Sequence, residues 1–211
     1  MTSSLLGLDT RWWYTALVAL VALQRLAELR VAKRNTRRLL ARGGVEVGAG
    51  HYPFMVVLHT VFLFAAVAEP WLFSRPWNPG LALVAFIMLL LSAGLRWWVI
   101  RTLDGRWTTR VIYVSDWEPV TAGPYRYLRH PNYLAVVTEI LVLPLVHGAW
   151  LTAMVASLLN AWLLRVRIAA EEKALRDHCD PRDVLAQRPR MLPLRGSLPG
   201  QAPPEPSKTH E

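Results

Sequence analysis

Residues 123–134 place two arginines, three tyrosines and a histidine between a turn signal and an apolar run. The stretch reads Gly-Pro-Tyr-Arg-Tyr-Leu-Arg-His-Pro-Asn-Tyr-Leu. Proline is favoured in the first turn of a helix, and it biases the residue before it towards an extended conformation. The sequence therefore predicts a helix that opens at Pro131, with the His130 imidazole held at its entrance. Backbone N–H groups at such an entrance favour anions and carboxylates.

A second charged group, made of Arg167, Glu171 and Glu172, follows roughly forty residues later in an amphipathic segment. As an isolated surface ion pair, Arg167 and Glu171 would contribute only ~0.3–0.5 kcal/mol. Opposite the first motif, the same residues could bind a zwitterionic ligand. Carboxylates accept hydrogen bonds from hydroxyl groups or face an ammonium, while the helix entrance and the arginines bind a carboxylate.

Two apolar segments, 133–146 and 149–164, connect the charged groups and are separated by little more than His147-Gly148. Each has about 15 residues and would measure roughly 22 Å as a helix, which is less than the ~30 Å hydrocarbon core of a bilayer. The sequence predicts a tight helical hairpin. In an antiparallel pairing about this turn, Arg165 returns to the level of His130, and Glu171 and Glu172 project towards residues 123–125.

Composition and charge indicate a membrane protein. The chain has 211 residues, of which 53% are hydrophobic and ten are tryptophans. The net charge of +9 first suggests a nucleic-acid partner, but the basic residues flank apolar segments and only three of the 24 are lysines. These residues are typical of interfacial anchors, so no nucleic-acid partner is predicted. The single cysteine provides neither an internal disulfide nor a metal site.

Five apolar segments are long enough to be considered as spans, at 12–29, 52–67, 80–100, 133–146 and 149–164. Basic connections alternate with connections that contain few basic residues, which by the positive-inside rule places the N-terminus outside and both motifs in the cytoplasm. The predicted fold is an all-α integral membrane protein of about five transmembrane helices. The last two helices form the hairpin, and a cytoplasmic amphipathic C-terminal helix follows them.

We expect a single domain over residues 1–192, with the catalytic part at 101–192 and a disordered tail at 193–211. The glycine-rich stretch 43–50 is expected to be a flexible connector and not a dinucleotide fingerprint. Residues 111–114 are expected to form a short extended piece.

Polar side chains within the apolar segments raise separate possibilities. Arg25 and Glu28 are spaced i, i+3 and could pair, either structurally or as part of the site. His59 in the second span is a functional candidate, although a hydrogen-bonded packing role carries more weight. Glu139 needs a partner if it is ionised within the hairpin. It would bind the substrate or hydrogen-bond across the hairpin, to Ser157 or Asn160.

The first motif, at 123–133, reads Gly-Pro-Tyr-Arg-Tyr-x-Arg-His-Pro-x-Tyr. The second, at 167–175, reads Arg-x-x-x-Glu-Glu-x-x-Leu. Together they resemble the motifs of the isoprenylcysteine carboxyl methyltransferase family of integral-membrane enzymes. Gln24-Arg25 and His51-Tyr52-Pro53 are similar to a bacterial branch of that family. The resemblance implies S-adenosylmethionine as cofactor and methyl transfer to a lipophilic acceptor that enters from the bilayer. It also implies a bacterial cytoplasmic membrane with the site facing the cytoplasm; the oligomeric state stays open.

The residues expected to act fall into three sets. The cofactor would be bound by Gly123, Pro124, Tyr125, His130, Pro131, Tyr133, Glu171 and Glu172. The substrate would contact Arg167, Glu139 and an apolar wall of Leu134, Val137 and Leu141. If the acceptor oxygen is already ionised, no general base is needed, and arginines would hold the acceptor anion as catalytic residues. The candidates are Arg126, Arg129 and Arg165.

The acceptor and the reaction class stay open between several readings. An arginine-, alanine- and leucine-rich composition is typical of GC-rich bacterial genomes, which favours an alkylpyrone or alkylresorcinol-type polyketide lipid over isoprenylcysteine itself. NADPH-dependent membrane reductases carry a similar Arg-His-Pro-Asn-Tyr. Residues 176–190 lack the tyrosines and phenylalanine that many members of the family have there. A non-catalytic membrane protein of the same fold is therefore a third alternative.

Overall fold

The computed structural model describes residues 4–5, 8–73, 76–115, 117–178 and 188–191. Within them the chain forms five long helices, which confirms the all-α prediction: α1 Thr10–Ala41, α2 Tyr52–Leu72, α3 Pro79–Leu103, α4 Pro131–Leu145 and α5 Trp150–His178. Two antiparallel strand pairs accompany them, β1 Ser4–Leu5 with β2 Leu8–Asp9, and β3 Val45–Val47 with β4 Val111–Tyr113. The predicted tail at 193–211 lies outside the described residues.

Helix starts follow local capping signals. The Asp9 carboxylate accepts the backbone N–H of Arg11 at the start of α1, at 2.9 Å. The Asn78 side chain does the same for Leu81 in the first turn of α3, at 3.0 Å. Such caps satisfy backbone donors that have no partner within the helix. As predicted, α4 begins at Pro131, with His130 as the residue before its first turn.

The five helices run alternately up and down the bundle. We call one end of the bundle the turn end, because it holds residues 146–149, which join α4 to α5. These residues contact the start of α1, where Thr10 hydrogen-bonds to His147 at 3.0 Å. The opposite end, the motif end, holds residues 123–130 and the last turns of α5. There Asn35 of α1 donates to the carbonyls of Asp104 and Trp107, at 3.0 and 2.9 Å. Both motifs therefore lie at one end of the molecule.

Three of the helical segments are long and apolar enough to cross a membrane: Ala49–Leu72, Pro79–Arg106 and Trp150–Asp177. Their outward faces carry exposed large apolar side chains such as Phe64, Leu91 and Leu158. Helix α4 is a shorter apolar helix. Helix α1 lies outside this set and carries Arg25 and Glu28 in its apolar half.

The predicted end of the hairpin is wrong in one respect. The second arm does not end near residue 164, because α5 runs unbroken for 29 residues and includes the amphipathic segment predicted to follow it. No glycine or proline occurs between Trp150 and His178 to interrupt it. Only α4 is short. The fifth span and the charged second motif therefore share one rigid helix.

The glycine-rich connector is more ordered than expected. It contains β3, which pairs with the predicted extended piece β4 in the register Val45↔Tyr113 and Val47↔Val111. An ion pair joins Arg110 Nη1 to Glu46 Oε2 at 2.7 Å beside this pairing. The small sheet fixes the loop after α3 against the loop after α1. It thereby forms one side of the site at the motif end.

Candidate active site at the motif end

The first motif is anchored to the end of α3 by a tight turn. Residues Gly123–Arg126 form a short 3-10 helix, and Gly123 has a φ of +57°. A Cβ atom at Gly123 would overlap the side chain of Thr102, so this close approach requires glycine. Pro124 is fully buried, and its carbonyl accepts the backbone N–H of Leu128 at 3.1 Å.

His130 joins the two motifs. Its buried ring donates from Nε2 to Glu172 Oε1 at 3.1 Å and stacks on Tyr133 with ring centroids 5.3 Å apart. Glu172 is 5% exposed and also receives Arg129 Nη1 at 3.0 Å. The predicted register placed Arg165 at the level of His130, and the side chain that binds His130 is that of Glu172, about two turns further along α5.

Residues 188–191, which we call the strap, lie across the start of α4. The backbone N–H groups of Arg129 and His130 donate to the carbonyls of Pro189 and Arg190, both at 2.9 Å. Arg190 makes a bidentate contact with Glu172, at 2.9 and 2.7 Å. This carboxylate raises the pKa of the Arg190 guanidinium. The two carboxylate oxygens of Glu172 thus join the strap to the first motif through Arg129, His130 and Arg190.

The Tyr133 hydroxyl is held between the charged residues of the second motif. It donates to Glu171 Oε2 and accepts a hydrogen bond from Arg167 Nε at 2.7 Å. Arg167 also contacts the sulfur of Met55 on α2, with Nη1 at 3.3 Å. Arg167 and Glu171 are therefore not a simple surface pair, because both bind a buried tyrosine.

Two cavities meet at this point. The first, the loop cavity, has a volume of about 190 Å³ and lies between the loop after α3 and the first turns of α4. Glu171 and Asn132 contribute polar groups to it, and burial raises the pKa of the Tyr125 hydroxyl, which therefore stays protonated. Its remaining lining is rich in aromatic and basic side chains, among them Trp107, Tyr113, Trp117, Arg129 and His130.

The second, the bundle cavity, has a volume of about 550 Å³ and lies between α1, α2 and α4. Most of its lining is aliphatic or aromatic, including Val18, Phe62, Leu63 and Val136. Part of its wall is ionic, with residues from four helices: Arg25, Glu28, His59, Arg96 and Glu139.

A shared wall separates the two cavities, made of Trp107, Thr108, Asn132, Tyr133 and Arg167. Two polar atoms on this wall, Asn132 Oδ1 and Trp107 Nε1, are buried and have no hydrogen-bond partner among the described residues. Buried polar groups are usually paired, so these two atoms are exceptions to the usual pattern. Neither residue was predicted to act in the site, although Asn132 lies inside the first motif.

The ionic part of the bundle cavity corrects the prediction for Glu139. Its Oε2 atom accepts from Arg25 Nη2 at 2.9 Å and from Arg96 Nη2 at 3.2 Å. The predicted pairing of Arg25 with Glu28 is present. The alternative partners across the hairpin are wrong, since in the described part of the chain Glu139 is bound by these two arginines and not by Ser157 or Asn160. Arg96 is the one charged residue of the third apolar segment. This isolated charge is the sequence feature from which a partner for Glu139 could have been predicted.

Most of the predicted cofactor and substrate residues come together. Tyr125, His130, Tyr133 and Glu171 line the loop cavity, and Glu139 lines the bundle cavity. Arg129 lines the loop cavity, while Arg167 lines both. Four others lie behind the cavity wall and position it: Gly123, Pro124, Pro131 and Glu172.

Five predicted residues lie away from both cavities, including Leu141, which is 44% exposed. Arg126 and Arg165 are exposed. Leu134 and Val137 are half-buried on other faces of α4. At 3.6 residues per turn these two positions lie roughly 100° or more around the helix from Val136, which does face the bundle cavity. The apolar wall of the cavity is therefore built from Val136 together with α1 and α2.

Comparison with known proteins gives matches over most of the chain. The isoprenylcysteine carboxyl methyltransferase (ICMT) family model matches residues 82–177, which include both motifs. The uncharacterized protein YpbQ of Bacillus subtilis (strain 168) is 36% identical over 165 residues, which is 77% of this chain and 96% of that protein. An uncharacterized protein of Haemophilus influenzae is 29% identical over 156 residues, or 72% of this chain and 88% of that protein.

Among solved structures, the fold resembles that of the eukaryotic intramembrane Ras methyltransferase ICMT, with a TM-score of 0.54 and 19% sequence identity. The similarity covers 68% of this chain and 53% of the other, so this chain spans about half the length of that methyltransferase. The family match covers both motifs, and the Bacillus relative is matched over nearly its whole length. On this evidence the chain belongs to the isoprenylcysteine carboxyl methyltransferase family.

Proposed function

We propose that this protein is an S-adenosylmethionine-dependent methyltransferase of a membrane, acting on a lipophilic acceptor. The observation that carries the proposal is the wall shared by the two cavities. The loop cavity offers polar, charged and aromatic groups, whereas the bundle cavity is mainly apolar and opens among helices with lipid-facing surfaces. A cofactor in the first and an acceptor in the second would meet at Asn132, Tyr133 and Arg167.

The residues of the loop cavity fit the proposed cofactor. S-adenosylmethionine is zwitterionic and carries a sulfonium, a ribose and a flat base. Glu171 can accept hydrogen bonds from ribose hydroxyls or face the ammonium. Aromatic side chains such as Trp107 and Trp117 suit a base and a cationic sulfur. His130 and Arg129, both tied to Glu172, fix the shape of this cavity.

When bound, the cofactor supplies an electrophilic methyl group on a sulfonium. In-line displacement at such a centre depends on alignment and on exclusion of water more than on acid–base chemistry. Tyr133, held at its hydroxyl from two sides, keeps the shared wall rigid. Arg167 borders both cavities and is the arginine best placed to hold an acceptor anion, with Arg129 at the loop cavity.

The bundle cavity favours a long apolar chain on the acceptor. Each methylene buried there contributes about 0.8 kcal/mol to binding. The oxygen that receives the methyl group is acidic, as in a carboxylate, phenol or enol, because an ionised acceptor needs no strong general base. Within this class we propose an alkylpyrone or alkylresorcinol-type polyketide lipid.

The orientation follows from the distribution of arginines. Basic side chains concentrate at the motif end, in the second half of α1 and in the loop after α3. By the positive-inside rule this end faces the cytoplasm of a bacterial cell. Accessibility labelling of a single cysteine at position 110 from the cytoplasmic side alone would support this orientation. Labelling from outside would contradict it.

Binding and turnover by the purified protein test the proposal. We expect calorimetry to detect S-adenosylmethionine binding and no comparable NADPH binding. Glu171→Gln should weaken cofactor binding by at least about tenfold, or roughly 1.4 kcal/mol, whereas Asp177→Asn, an exposed carboxylate on the same helix, should not. Binding of NADPH in place of S-adenosylmethionine would reject the assignment.

Acceptor choice is tested with labelled S-adenosylmethionine and 4-hydroxy-2-pyrones of increasing chain length. The kcat/KM should rise with chain length until the bundle cavity is filled. Equal rates for methyl- and pentadecyl-substituted pyrones would rule out an acceptor site in that cavity. A farnesylated cysteine serves as the comparison, because a preference for it would assign isoprenylcysteine as the acceptor.

A further inference from the structure

His59 is a polar side chain in the middle of α2 that no step above uses. Its ring is half-buried and lines the bundle cavity. Nδ1 lies 2.7 Å from the carbonyl oxygen of Met55, one turn earlier in the same helix. Since a carbonyl can only accept, Nδ1 carries the proton and Nε2 of the neutral ring is an acceptor. The tautomer is therefore fixed by the backbone.

The Nε2 atom is open to the cavity. No described residue is within hydrogen-bonding geometry of it, and it is not among the fully buried polar atoms that have no partner. A ligand in the bundle cavity can therefore reach it. A neutral imidazole nitrogen of this kind binds a hydrogen-bond donor such as a hydroxyl group.

The charged residues at the same depth do not offer a comparable contact. Arg25 and Arg96 each bind Glu139, and both also lie beside Glu28, so two positive charges face two negative charges. The Nε atoms of the two arginines have no partner, but they have almost no accessible surface and cannot be reached. An ionised head group would have no uncompensated positive charge to pair with here. An un-ionised hydroxyl can donate a hydrogen bond to His59 Nε2.

His59 follows, by one turn of α2, a residue that contacts the shared wall. Met55 contacts Arg167, and Arg167 contacts the Tyr133 hydroxyl on that wall. One helical turn, roughly 5.4 Å, separates Met55 from His59 along α2. A ring whose reacting oxygen is at the wall could therefore present a second substituent to His59.

We infer that His59 binds a second, un-ionised hydroxyl on the head group of the acceptor. The acceptor would then be a lipid with a single-ring head group that carries two hydroxyl groups. One hydroxyl is methylated at the shared wall, and the other donates a hydrogen bond to His59 Nε2. His59 is a positioning and specificity-determining residue, and no proton is transferred to it. The inference rests on the proposed function, because it assumes that the bundle cavity holds the acceptor.

The test compares two lipids that differ by one hydroxyl, 5-pentadecylresorcinol and 3-pentadecylphenol. Binding is measured by the quenching of tryptophan fluorescence, because Trp107 borders the cavity. The wild-type protein should bind the resorcinol at least about tenfold more tightly, since an unpaired polar group in a site penalises the analogue that lacks its partner. His59→Phe should reduce the ratio below about twofold. His59→Gln, which keeps an acceptor, should restore part of it.

Thr60→Val is the matched control, because Thr60 also lines the cavity but donates its hydroxyl to the carbonyl of Val56. It should leave the ratio unchanged. If His59→Phe weakens both lipids equally, the role of His59 is structural and the inference is wrong; it is equally wrong if the wild-type protein does not discriminate. Methyl transfer from S-adenosylmethionine is followed separately. Discrimination in binding without any transfer would reject the proposed function while leaving the His59 contact in place.

Discussion

At the level of single side chains, the Tyr133 hydroxyl is the atom at which both motifs and both cavities meet. It is bound by Arg167 and Glu171 from α5 and belongs to α4. Its ring stacks on His130, which in turn binds Glu172. A change at this hydroxyl should therefore affect the proposed cofactor site without altering any exposed surface.

We expect Tyr133→Phe to weaken S-adenosylmethionine binding by at least about tenfold, or roughly 1.4 kcal/mol. The substitution keeps the ring but leaves Arg167 Nε buried without its acceptor and removes a donor from Glu171. Calorimetry on the purified protein measures the change. Tyr127→Phe is the control, because Tyr127 is 51% exposed and should tolerate loss of its hydroxyl. Unchanged affinity in Tyr133→Phe would show that the hydrogen bonds of the Tyr133 hydroxyl do not shape the proposed cofactor site.

At the level of elements, the strap fixes the start of α4 through backbone and side-chain contacts. Its carbonyls accept the N–H groups of Arg129 and His130, and Arg190 binds Glu172 at both oxygens. Arg188 adds a hydrogen bond to the carbonyl of Tyr125. These contacts hold residues 188–190 against the start of α4.

Hydrogen exchange should detect this role. The amides of Arg129 and His130 are paired with strap carbonyls, so they should exchange slowly, and Arg190→Ala should speed their exchange by about tenfold or more. Mass spectrometry of peptides covering residues 123–134 gives the readout. Arg176→Ala, an exposed arginine on α5, should leave the exchange unchanged. Equal protection in both variants would mean that Arg190 does not hold the strap.

The start of α5 is tied to α2 by Glu69. Its carboxylate accepts the N–H groups of Leu151 and Thr152, at 3.1 and 2.7 Å, where a helix N-terminus favours negative charge. We expect Glu69→Gln to lower the free energy of unfolding by about 1–2 kcal/mol. Denaturant unfolding in one detergent compares it with Glu118→Gln, an exposed carboxylate. An equal midpoint for both variants would contradict a capping role.

The elements that sequence patterns could predict are those with local signals. Pro131 marks the start of α4, and the short connection at His147-Gly148 gives the hairpin. The length of the second arm was underestimated because the composition changes from apolar to charged near Arg165, although a helix can pass through such a change. The cavity-facing side of α4 was also missed. The helix is apolar almost all round, so its pattern does not distinguish Val136 from Leu134.

At the level of the whole molecule, contacts between distant parts of the chain could not be read from sequence. Glu139 and Arg25 are 114 positions apart, and Glu139 and Arg96 are 43 apart. The need for a partner was predictable from the cost of burying a charge, but the identity of the partner depends on how α1, α3 and α4 pack. The resulting ionic group holds these three helices around the bundle cavity.

A double-mutant cycle on Arg96 and Glu139 tests this connection. Removing one partner of a buried pair leaves an uncompensated charge, so Arg96→Gln and Glu139→Gln should each lower the free energy of unfolding by about 3 kcal/mol. The double variant should lose less free energy of unfolding than the sum of the two single losses, with a coupling energy of at least ~1 kcal/mol. Unfolding in one detergent gives all four values. Arg110 and Glu46 form the control cycle, since Arg110 is 40% exposed and such pairs contribute only ~0–1 kcal/mol. If the two cycles gave equal coupling, the buried group would not be what holds α3 to α4.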